Sequence, residues 1–281
     1  MTRACQFWKA YRRNQMALAG LALLTVMVLL ALVAGWLYPD GALKLYPERN
    51  VWPFQTTAHV LGTDNLGRDI AAAVLHGTRV SLAVALLAAM GAAGLGLTVG
   101  SAAGYYGGAT DKLLMRFSEL FQVLPNLLFA LVLGTIMGSS LLTIVVAISV
   151  ATWPSTARLV RAEFMALRER EFVLACRGIG MPDWQIMLRQ ILPNALPPII
   201  VLASFQMAAA MLVESALAFL GLSDPSRPSL GWWIGKGRQV LRTEWYVALI
   251  PGIAIILIIV SINLVAEGLN DALNPRARRM T

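Results

Sequence analysis

The chain has 281 residues, 58% of them hydrophobic and only 14% charged, with a formal net charge of +8. A mean hydropathy of +0.67 excludes an ordinary soluble domain and indicates a polytopic membrane protein. The basic excess does not indicate nucleic acid, because the cations flank apolar runs and form no stripe interleaved with aromatics.

In residues 1–15, Phe7, Trp8, Lys9, Tyr11, Arg12 and Arg13 mix aromatics with cations, which predicts a short segment lying at the headgroup level. Charge-free windows then predict membrane helices over about 16–37, 80–104, 117–137, 140–157, 197–221 and 246–266. A crossing takes about 20 helical residues, so the window 120–157 is too long for one and is split at Met137, Gly138, Ser139 and Ser140. The first window is not read as a cleaved signal peptide. Its apolar run exceeds a usual signal core, and Trp36-Leu37-Tyr38-Pro39 is no small-residue cleavage site.

Between the first two windows, residues 61–70 read Leu-Gly-Thr-Asp-Asn-Leu-Gly-Arg-Asp-Ile, a turn-rich string in which Asp69 is placed to cap the helix leading into the second span. That span carries Gly96, Gly100 and Gly104 at i, i+4 and i+8. Small residues at this spacing predict close packing on another helix, with a glycine-lined path as the functional alternative.

After the fourth window the chain becomes charged and is punctuated by Gly and Pro over residues 158–195. Residues 160–176 are compatible with one helix, ended by Gly178 and Gly180. Pro182 and Asp183 suit the start of a second, short amphipathic helix. Trp184, Met187, Leu188 and Ile191 form its apolar stripe, and Pro193 is expected to end it. A membrane span needs no such insert, so the insert is expected to serve a partner.

Glu214 is the only charged side chain in the interior of a predicted span. Either it makes a structural hydrogen bond between helices or it takes part in a substrate path or gate. Asn263 in the last span is a milder case, an amide suited to bridging helices. His59 and His76 have no Cys or acidic cluster at ligand spacing, so no metal site is expected.

Six spans place both termini on one side. The N-terminal segment, the 105–116 connection, the 158–195 insert and the C-terminal tail hold 15 of the 23 Lys and Arg residues. The positive-inside rule therefore predicts that both termini and the insert are cytoplasmic. Cys5 and Cys176 fall on that reducing side, where no disulfide is expected.

Ala175, Gly180, Leu192 and Pro193 resemble the EAA loop of permease subunits from ATP-binding-cassette importers. The whole chain is similar to the second permease subunit of the dipeptide, oligopeptide and nickel importers. The carrying residues are Phe7-Trp8 with Arg12-Arg13-Asn14, the 61–69 string, Phe219-Leu220-Gly221-Leu222, Asn263, and Gly268 through the Asn274-Pro275 pair. Leu174 and Cys176 replace the Glu and second Ala of the named motif, Gln190 its Ile, and Leu230 the Trp that usually precedes Gly231.

The resemblance implies an all-α fold of the type I importer class with six transmembrane helices in a bacterial inner (plasma) membrane. It also implies a heterodimer with a homologous permease subunit, two cytoplasmic ATPase subunits, an extracytoplasmic substrate-binding protein, and a peptide, nickel or metal-chelate cargo. The loop residues facing the ATPases would be Ala175, Arg177, Gly180, Asp183, Trp184, Met187, Leu192 and Pro193. Independently of the resemblance, the chain has no G-x-x-x-x-G-K-[ST] phosphate loop, so ATP, if it powers this protein, is hydrolysed elsewhere; the resemblance implies ATP and Mg in the partner ATPase subunits, and no cofactor or catalytic residue is expected here. Two rivals are a proton-coupled secondary transporter using Glu214 and a membrane-embedded enzyme; matching half-repeats and a catalytic constellation, respectively, are not evident.

Overall fold

The structure, a computed structural model, describes Trp8 and residues 11–273. Most of the N-terminal aromatic and basic segment, Cys5, and the tail arginines 276, 278 and 279 lie outside the described residues.

The described chain is helical: α1 Gln15–Leu37, α2 Ile70–Tyr106, α3 Gly108–Gln122, α4 Asn126–Met137, α5 Leu141–Arg168, α6 Glu171–Gly178, α7 Asp183–Phe219, α8 Leu230–Gly237 and α9 Tyr246–Leu273. Among them α1, α2, α5, α7 and α9 are long and apolar enough to cross a membrane. The pair α3 and α4 makes a sixth crossing if counted together.

Helix α2 sets the frame. Its 37 residues rise about 55 Å at 1.5 Å each, so its two ends define opposite ends of the bundle. Asp69 caps it as the sequence predicts, accepting from the amides of Ala71 at 2.7 Å and Ala72 at 3.2 Å. The helix therefore starts ten residues before the expected span at 80, because a cap and not a hydropathy edge fixes its first turn.

The glycine stripe packs. A Cβ on Gly96, Gly100 or Gly104 would lie under 3 Å from Thr156, Ala157, Val160, Arg161 or Phe164 of α5. These glycines thus bring two backbones together, and the packing reading holds over a glycine-lined path.

Three elements differ from expectation. The predicted span 117–137 is broken between α3 and α4, bent by 81°, because Pro125 cannot donate to the preceding turn. The stretch 160–176 is not one helix: α5 stops at Arg168 and α6 starts at Glu171. The short helix does not end at Pro193 either. It continues as α7 through a π-helical turn, Ile186–Ile191, in which the Leu192 amide reaches back to the Met187 carbonyl. Proline has no N–H to give, and the wider turn just ahead of it, with Asn194 Nδ2 donating to the Gln190 carbonyl at 2.7 Å, relieves the conflict.

The main core lies where α2, α4, α5, α7 and α9 meet, around Val84, Ile148, Met211, Leu217 and Ile258. A separate core under the insert joins Tyr105, Phe164, Val173, Ile186 and Ile191.

Candidate functional site at the insert

The insert comprises the end of α5, α6, the turn 179–182 and the start of α7. Gly180 makes that turn possible, with a φ of +77° that a side chain rarely adopts. Its amide donates to the Arg177 carbonyl at 3.0 Å, and the Met181 amide to that of Cys176 at 3.1 Å.

One face of the insert is anchored. Ile186, Ile191 and Val173 are fully buried against Tyr105, Val160 and Phe164, while Met187, Leu192 and Cys176 pack half-buried around them. Each isoleucine taken fully out of water contributes about 1.5–3 kcal/mol. The predicted apolar stripe is therefore split, with Ile191 facing the protein and Trp184 and Leu188 facing away.

Polar contacts anchor the insert to α2 as well. Tyr105 donates its hydroxyl to Asp183 Oδ1 at 2.5 Å, and the Arg177 guanidinium lies 5.2 Å from the centre of the Tyr105 ring. Arg168 donates to the Tyr105 carbonyl at 3.0 Å, and Arg161 forms a two-point ion pair with Asp111 of α3. The insert is thus tied to α2 and α3 by polar contacts as well as by its buried face.

The outer face is unfinished. Ile179 is 79% exposed, Trp184 55% and Leu188 55%, and Phe172 and Leu174 of α6 are exposed as well. Leu174 stands where the named motif has its Glu, so this face carries less charge and more apolar surface than the motif prescribes. Among the predicted site residues, Ala175, Gly180, Trp184 and Pro193 are exposed; Arg177 and Asp183 are exposed but already engaged by Tyr105; Met187 and Leu192 belong to the anchoring side.

Glu214 sits elsewhere, near the other end of α2, and is 1% exposed. Ser81 donates to its Oε2 at 3.1 Å and accepts from the Leu230 amide at 3.2 Å, so the carboxyl faces the first turn of α8 across one hydroxyl. Helix N-termini favour negative charge, and Gly77 and Gly231 let α8 seat directly on α2 and α7. Ser81 thus gives Glu214 a hydrogen bond between helices, while Glu214 Oε1 is buried without a partner. Asn263 is half-buried and lines a shallow groove with Phe205, Val260, Leu264 and Glu267, away from both Glu214 and the insert.

The sequence reading missed Tyr105, Ile186, helix α8 and Gln206. Gln206 accepts from Thr156 at 3.0 Å and donates to Ser155 at 2.8 Å, linking α7 to α5 beside Pro154. An amide inside a charge-free window was a signal for it. Tyr105 offered none, since an aromatic at a helix end is ordinary.

Residues 96–279 match the family model described as binding-protein-dependent transport system inner membrane component. Residues 4–53 match that of the N-terminal TM domain of oligopeptide transport permease C. A dipeptide transport system permease protein DppC of Alkalihalophilus pseudofirmus is 35% identical over 96% of this chain and 89% of its own length. The chain belongs to this family of importer permeases. A glutathione transport system permease protein GsiD of Pectobacterium atrosepticum is 33% identical, covering 97% of this permease and 91% of the relative. A putative peptide transport system permease protein of Brucella suis is 38% identical over 92% and 87% of the two chains.

A structure of the MetNI methionine ABC transporter in inward-facing conformations aligns with a TM-score of 0.58 at 19% identity, covering 72% of this permease and 96% of that chain. At that identity the likeness concerns fold alone, and it agrees with the type I importer class. The permease is thus an all-helical, multi-pass inner-membrane subunit of a binding-protein-dependent importer.

Proposed function

We propose that this permease pairs with a homologous permease subunit to form a peptide-translocating path, and that its 158–195 insert receives one of two cytoplasmic ATPase subunits. The observation that carries the reading is the split of the insert into an anchored face and an exposed face of Ile179, Trp184 and Leu188. A monomer gains nothing by fixing large apolar side chains in water on a rigid platform; a docking partner does. Trp184 has the residue type and exposure of an interface anchor.

In this mechanism ATP and Mg bind in the ATPase subunits, which close on ATP and push the insert. Tyr105, Arg168 and Arg161 pass the displacement to α2, α3 and α5, and the path opens alternately to the two sides. An extracytoplasmic binding protein delivers cargo at the end formed by residues 40–69 and α8. Both termini are cytoplasmic, in keeping with the basic residues on the insert side. The names of the relatives favour peptides over nickel or metal chelates. Glu214, held by Ser81 against α8, supports a structural role and not proton coupling.

The test replaces Trp184 with Asp. Expected is a permease that still accumulates in the membrane but loses ATPase co-purification and falls at least tenfold in uptake. Unchanged uptake with bound ATPase would overturn the reading.

A further inference from the structure

At the end of the bundle opposite the insert, a trench runs from residues 40–43 and 226–228 down between α2 and α5. Its mouth carries Arg79 of α2 and Arg227 of the α7–α8 connection, both exposed and without an ion pair among the described residues. The acids nearby are engaged elsewhere. Asp40 is paired with Lys44, and Asp224 accepts from the Ser226 amide at 2.9 Å, from the Ser226 hydroxyl and from the Arg227 backbone, while the Arg227 guanidinium forms no ion pair with it. His76 is bonded to the Tyr38 carbonyl at 3.1 Å.

Below this mouth the trench turns apolar. Val84 and Leu87 on α2 and Leu142 and Val145 on α5 form its walls. From Arg79 to Leu87 along α2 is about 12 Å at 1.5 Å per residue, directed into the membrane. The trench therefore presents cations at the surface and hydrocarbon beneath, the order in which a phospholipid presents phosphate and acyl chains. A translocated peptide would need polar partners along its whole length. A neighbouring helix would leave two arginines without anions.

We infer that this trench binds an anionic phospholipid, its phosphate between Arg79 and Arg227 and an acyl chain against Leu87, Leu142 and Val145. The test uses the assembled transporter and phosphatidylglycerol as probe. By native mass spectrometry the wild type should retain phosphatidylglycerol through detergent exchange, R79Q/R227Q should retain about thirtyfold less, and R79K/R227K should keep most of it. Equal retention in R79Q/R227Q would overturn the inference. Should that variant fail to accumulate, a photoactivatable phosphatidylglycerol on the wild type decides: adducts within 79–87 and 141–145 support the site, and adducts only elsewhere contradict it. A cysteine at position 79 that crosslinks to the partner permease would show that protein fills the trench, and would also overturn it.

Discussion

The two ends of this permease are built differently. Around the start of α2, polar groups find partners inside the chain: Asp69 caps α2 and contacts His59 Nδ1 at 2.7 Å, Asp64 holds the amides of Leu66 and Arg68, and Tyr246 donates to the Thr63 carbonyl at 2.8 Å. Gly62 and Gly67, at φ of +84° and +85°, lie against the backbones of Val51 and Tyr46, where no Cβ would fit. At the other end of α2 the insert is anchored along one face only and leaves its largest side chains outside. The first end has a dense internal hydrogen-bond frame, with Arg68 Nε, Glu214 Oε1, Trp233 Nε1 and Glu244 Oε2 buried in it without partners, whereas the second is a support held on one face whose outer surface leaves large apolar side chains exposed. Stability and coupling therefore separate along one helix.

Substitutions that break this comparison should do so unequally. The largest effect is expected from Ile186→Ala, which opens a cavity under the insert and costs about 2–5 kcal/mol. Hydrogen exchange should then rise across residues 171–195 and stay unchanged at 61–75; a uniform rise would show that the ends are not independent. Asp69→Ala removes a helix cap worth about 1–2 kcal/mol and the partner of His59. The melting temperature of the purified permease should fall, while ATPase docking persists.

Tyr105→Phe removes one hydrogen bond, a net loss of about 1 kcal/mol. Uptake should fall several-fold while the melting temperature drops by only about 2–4 °C, and ATP hydrolysis should become less dependent on the binding protein; unaltered coupling would remove Tyr105 from the linkage. The smallest effect concerns Glu244, in the connection before α9, whose carboxyl is pushed up by burial and by the charge of Asp64, against a hydrogen bond from the Asn65 backbone. In the unfolded chain this acid loses its proton first, so stability falls as pH rises from its ordinary value through its raised one. Glu244→Gln should therefore raise the melting temperature at neutral pH and leave it unchanged well below pH 4. An equal gain at both would trace the effect to packing.

Much of this was legible in the sequence. Helices α1 and α9 lie on charge-free windows, α5 starts with one but runs on through charged residues to Arg168, and Asp69 marks the start of α2 even though His76 and Arg79 interrupt the apolar run. The insert was legible as a jointed element because Gly180 and Pro182 have fixed backbone demands. The break before α6, the π-turn and the orientation of the apolar stripe were not. Each depends on which side of the insert meets Phe164 and Tyr105, a tertiary contact with no local signature. Helix α8 escaped for a related reason: Leu230–Gly237 is too short to span a membrane and is held by Glu214, Ser81 and two glycine contacts from distant helices.

The central claim, that the exposed face of the insert is a docking surface for an ATPase subunit, is tested most directly by a photoreactive residue at position 184 in the assembled transporter. The account predicts one dominant adduct with the ATPase subunit, lost when that subunit is omitted. Adducts only with lipid, or with the partner permease, would contradict it.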